Sequence, residues 1–145
     1  MARGANTKPQ KFILEGDRAL PLEEQTIFEI RCKNSVMGNE SLARYTKAQR
    51  PTSDGSSEYD VRKLSLADKE DFLDFCVSVT NYAWSDDYLE NHPLIEVNGI
   101  GFYEETIRDP DVLADLVADM SVGDFNEVAA ASNNQVKLSR GAKKN

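Results

Sequence analysis

One histidine, one tryptophan and two cysteines are all that this 145-residue chain holds of those residue types. Each scarcity removes a class of chemistry. A Ser-His or Cys-His pair would have to rely on His92, which stands just before Pro93. Asp86, Asp87 and Glu90 precede His92, but their spacing matches no ligand loop, so no metal and no cofactor is expected. Cys32 and Cys76 belong to no CxxC or Cys/His pattern and read as reduced, buried thiols. Neither GxxxxGK[ST] nor GxGxxG occurs, so phosphate-loop chemistry has no support. Carboxylates are everywhere, and no pair stands out for acid–base work. No catalytic set emerges, and the expectation is a protein that is not an enzyme. No apolar run approaches the ~18 residues of a membrane span. The first fifteen residues lack the apolar stretch of a secretory signal, so the expected compartment is the cytoplasm, with no membrane partner.

What the sequence does have is acid. Its net charge is −8 and its pI is near 4.7. Twelve acidic residues and one basic residue, Arg108, lie between Ser85 and Glu127. The last ten residues reverse the sign, with Lys137, Arg140, Lys143 and Lys144. Such a body repels phosphates, which argues against direct nucleic acid binding. Asp111, Asp115 and Asp119 stand four apart and so share one helix face. That row is a solvated face or a docking face for a basic partner segment, and Trp84 is a core anchor or an interface residue. These four residues are the candidate partner-binding set. The basic tail is a solubilising or disordered end, or a contact for an acidic protein surface or nucleic acid.

The chain is long enough for one domain that buries roughly 70% of its unfolded surface. The expected class is α+β, with a small N-terminal β element, a hairpin, a helix-rich C-terminal half and disordered termini. Residues 1–11 read as a mobile arm, 12–132 as one domain and 133–145 as a flexible basic tail. Phe12-Ile13-Leu14 reads as a short strand. Thr26 to Cys32 alternates, with Phe28, Ile30 and Cys32 on one side. Asn39 to Gln49 reads as a short helix with Leu42 and Tyr45 on one face. Arg50 to Asp60, with Pro51, three serines and Asp54-Gly55, reads as a loop. Ser65 is the expected cap of a long helix whose apolar stripe is Phe72, Leu73, Cys76, Val77, Thr80, Ala83 and Trp84. Leu94 to Tyr103 reads as a hairpin turning at Asn98-Gly99. Asp109 and Pro110 open a helix with Val112, Leu113, Leu116, Val117 and Met120 inward, and Gly123 suits its end. Asp124 is the expected cap of a last helix that turns Phe125, Val128 and Ala129 inward.

The order of these features resembles the tail assembly chaperones of long-tailed bacteriophages. The similarity rests on Thr26-Ile27-Phe28-Glu29-Ile30-Arg31, on Trp84 at a helix end, and on the Asn98-Gly99 turn. The acidic helix from Asp109 to Met120 and the close Leu138-Ser139-Arg140-Gly141-Ala142-Lys143-Lys144-Asn145 complete it. The linker Arg50–Asp60 and the run Ser85–Pro93 depart from the family's order. The resemblance implies a non-enzymatic protein of the host cytoplasm. Its partners would be the helical tape measure protein and the tail tube protein, and homo-oligomerisation is left open. Rival readings are a virion component, such as a tail or head–tail connector subunit, and an acidic DNA mimic that blocks a host DNA-binding protein. Many genes of this family make a longer product by ribosomal slippage, and Lys143-Lys144-Asn145 is compatible with a slippery AAA-AAA-AAC.

Overall fold

The structure, a computed structural model, describes residues 7–92, 95–97, 100–102 and 105–133. It is an α+β fold built on a four-stranded antiparallel sheet. The strands are β1 (Gln10–Ile13), β2 (Ile27–Ile30), β5 (Cys76–Thr80) and β8 (Thr106–Ile107), in the order β1-β2-β5-β8. Two hairpins stand apart from this sheet: β3 (Gln49–Pro51) with β4 (Ser57–Tyr59), and β6 (Ile95–Val97) with β7 (Ile100–Phe102). The helices are α1 (Ser35–Lys47), α2 (Val61–Phe75), α3 (Asp86–Asn91), α4 (Pro110–Asp119) and α5 (Val122–Asn133).

The core forms where one face of the sheet meets α2, α4 and α5. Alternation in β2 sends Phe28 and Ile30 inward, and both are fully buried, with Cys32 beside them. Phe72 and Phe75 of α2, Leu113 and Leu116 of α4, and Phe125 and Val128 of α5 close over them. Phe72 meets Phe75 edge-on at 5.4 Å. Both thiols are free and buried, and burial pushes Cys76 up to about 12. Cys76 is therefore a protonated, inert thiol at neutral pH.

Several elements depart from the sequence expectation. The long helix is capped by Asp60, not Ser65: its Oδ1 accepts from the N–H groups of Arg62 at 3.0 Å and Lys63 at 3.2 Å. The helix stops at Phe75, and Cys76 begins the inner strand β5. The register between β2 and β5 shifts at Glu29/Ile30, so that Val77 has no partner in the ladder. This bulge keeps Cys76 and Val79, three residues apart, on the same side. Phe72, Phe75, Cys76 and Val79 thus follow helical spacing across a helix–strand junction. The expected stripe was also out of phase, since Leu73 and Ala83 are exposed.

The Arg50–Asp60 loop holds β4 and all of β3 except Gln49, paired across a turn in which Asp54 accepts from Thr52 and Ser56. Gly55 takes φ +85° there, as the Asp-Gly signal requires. α1 starts earlier than expected because Asn34 caps it, accepting from Met37 N–H at 2.9 Å. Ser121, not Asp124, caps α5 by accepting from Asp124 N–H at 3.1 Å, and Gly123 falls inside that helix. Gln10 and Lys11 belong to β1 and not to a mobile arm. The expected hairpin is present as β6 and β7, but its Asn98-Gly99 turn, Leu94 and Tyr103 lie outside the described residues. So do residues 1–6 and the tail from 134 onward.

A candidate partner-binding groove

The acidic row forms as its spacing predicts, since α4 begins at Pro110 with Asp109 as cap. Its three members have different surroundings. Asp111 and Asp115 are exposed. Asp119 is half-buried and holds α4 to the chain before α3. It accepts from Tyr82 Oη at 2.8 Å, from Ser85 N–H at 3.0 Å and from Ser85 Oγ. Burial pushes its carboxyl up, but the bonds from Ser85 and Tyr82 outweigh this, and it titrates below the usual range. Asp119 is an internal bracket, so the row offers a partner two carboxylates and not three.

A pH dependence follows. The carboxyl of Asp119 is more acidic folded than unfolded, so its stabilisation is complete above the unfolded value of about 3.9. It fades as pH falls through and below that value. Asp119→Asn should flatten the acid limb of stability against pH, measured by thermal melting from pH 6 to pH 2.5. An unchanged acid limb would show that the bracket is not ionic.

Trp84 is half-buried and packs against the core. It meets Tyr82 edge-on at 4.9 Å and stacks on Tyr88 at 3.9 Å, and Tyr88 in turn stacks on His92 at 3.9 Å. Trp84 therefore anchors a ladder of rings that fixes α3. The small cleft below that ladder, about 260 Å³, is lined by His92, Asp87, Asp115 and Asp119. Among the described residues no three His, Cys, Asp or Glu side chains group as metal ligands. No described helix is long and apolar enough to cross a membrane.

A larger concavity lies elsewhere, and sequence reading missed it. A groove of about 660 Å³ runs between the faces of α1, α2 and α5. α5 supplies Val122, Phe125 and Ala129, and α1 supplies Gly38, Leu42 and Tyr45. Leu42 is 66% exposed and Val122 76%, so the rim presents apolar side chains to solvent. The signal in the sequence was Leu42, an apolar residue amid the polar α1. Periodicity puts it on one face with Tyr45 without saying what covers that face.

The floor is charged. Lys33 Nζ contacts Asp71 Oδ2 at 2.8 Å, with side chains only 5% and 3% exposed. Asp71 Oδ1 has no hydrogen bond and only a long contact, 3.5 Å, to Arg44. Arg44 is held mainly by Asp74 and by Glu70 at 3.4 Å. Tyr45 Oη donates to Asp68 Oδ1 at 2.6 Å. Burial pushes Asp68 above the usual carboxylate range, the Tyr45 bond opposes this, and the charge of Asp71 adds to it.

Gly38 is the low point of the α1 wall. A Cβ built there meets nothing within 4 Å. Gly38→Ala should therefore stabilise the protein by about 0.5–1 kcal/mol through helix propensity. A rise in the urea midpoint at constant m-value would confirm it, and a fall would show a contact that the wall requires.

In comparisons with known proteins, no family model, no curated protein and no solved structure matches this chain.

Proposed function

We propose that this protein is a non-enzymatic tail assembly chaperone of a long-tailed bacteriophage, working in the host cytoplasm. It binds the tape measure protein and helps recruit tail tube subunits. The observation that carries this reading is the solvent-open groove walled by α1 and α5. A trough between helix faces with an apolar rim is the receptor form for an amphipathic helix. The order of features from Thr26 onward, which resembles that of the phage chaperones, supplies the identity of the helix. The acidic exterior keeps such a complex soluble. The DNA-mimic reading is weaker, because Asp119 turns inward.

Co-expression with the tape measure protein tests the proposal. A soluble complex is expected, and the chaperone should be missing from purified virions. Persistence in virions would favour a structural subunit. A tape measure protein that stays insoluble and uncaptured would remove the chaperone reading.

A further inference from the structure

The groove has an imbalance of charge as well as an apolar rim. Two carboxylates, Asp68 and Asp71, line it against one cation, Lys33. Lys33 is already committed to Asp71. Asp68 has only the neutral hydroxyl of Tyr45, and no cation pairs with it among the described residues. A half-buried carboxylate without a counter-charge costs folding free energy, and an incoming cation would offset that cost.

The walls indicate the form of what enters. The α5 side runs the length of a 12-residue helix, about 18 Å at 1.5 Å per residue. Gly38 lowers the opposite wall, and among the described residues nothing comes within 4 Å of a Cβ built there. Two helix faces with a third helix as floor make a trough into which a helix packs by its side-chain ridges. An acidic segment would meet Asp68 and Asp71 and be repelled.

We infer that the groove takes an amphipathic helix carrying a lysine or arginine within its apolar stripe, and that this cation pairs with Asp68. The inference rests on the groove being the partner site proposed above, and it names the chemistry of the partner. The raised titration of Asp68 is in keeping with a carboxylate that lacks its cation.

The probes are three labelled peptides of about five helical turns, alike except at one position in a leucine stripe, which holds lysine, norleucine or glutamate. Binding to the full chain is read by fluorescence anisotropy. The lysine peptide should bind at least ~10-fold more tightly than the norleucine peptide, the scale of one desolvated charge pair. The glutamate peptide should bind most weakly. Asp68→Asn should reduce the lysine preference to within about twofold, with norleucine binding little changed. Gly38→Leu, which keeps a helix-forming residue, should block all three peptides.

Equal binding of the lysine and norleucine peptides would overturn the inference. So would a preference that survives Asp68→Asn, or no binding by any peptide. Sedimentation that shows a dimer which the peptides do not displace would give the groove to a second copy and overturn it too. If the tape measure protein is captured but the peptides show no lysine preference, this inference falls and the chaperone reading stands. Peptide selectivity without capture would leave the groove chemistry and remove the chaperone.

Discussion

Asp71→Ala should cost about 3–5 kcal/mol of unfolding free energy, a large part of the roughly 5–15 kcal/mol that holds a domain of this size. Asp71 is buried and accepts a hydrogen bond from Lys33, whose side chain is itself only 5% exposed. Removing the carboxylate leaves that ammonium with a long hydrogen bond to Ser41 Oγ at 3.5 Å and the Phe75 ring 5.2 Å away. A ring face attracts a cation by only about 0.5–2 kcal/mol, too little to replace a carboxylate. Arg44 also loses its contact at 3.5 Å, but Asp74 and Glu70 still hold it. The cost comes from the unpaired charge and not from the value of the pair. Lys33→Met combined with Asp71→Leu should therefore recover most of the loss. Urea denaturation of the two variants checks both statements. A loss below about 1 kcal/mol for Asp71→Ala would mean that water reaches the groove floor and solvates Lys33.

Phe72→Ala is the second large effect, also about 3–5 kcal/mol. Phe72 is fully buried, edge-on to Phe75 and 6.3 Å from the Phe125 ring. It joins α2 to α5, so truncation leaves a cavity bounded by two helices and the sheet, elements that cannot collapse independently. Leu73→Ala, one residue on, should cost under about 1 kcal/mol, since Leu73 is 36% exposed. Equal losses at 72 and 73 would put α2 in the phase that its sequence suggested and would contradict the fold.

The contrast between 72 and 73 shows where periodicity failed. A helical period carried on to Trp84 lands about one residue out of register in α2. The bulge at Val77 gives β5 a local spacing of three, which extends the helical spacing past the helix end. The β-branched Val77, Val79 and Thr80 favour a strand at Cys76–Thr80, and pairing with β2 and β8 makes it one. In the candidate site the acidic row was legible, for a four-residue spacing fixes a face of α4. Which acid of that row turns inward was not legible, because Ser85 and Tyr82 lie more than thirty residues away in sequence.

By itself the sequence determined what depends on neighbours along the chain. The α+β class, the inward Phe28, Ile30 and Cys32, the Pro110 helix start, the Asp54-Gly55 turn and the buried thiols all follow from local propensity and alternation. The tertiary structure alone decided what depends on distant segments meeting. It made Cys76–Thr80 an inner strand, turned Asp119 into a bracket, buried Lys33 against Asp71 and left a groove between α1 and α5. A period names the apolar side of an element, whereas a site is the place where several such sides meet or fail to meet, and only packing sets that.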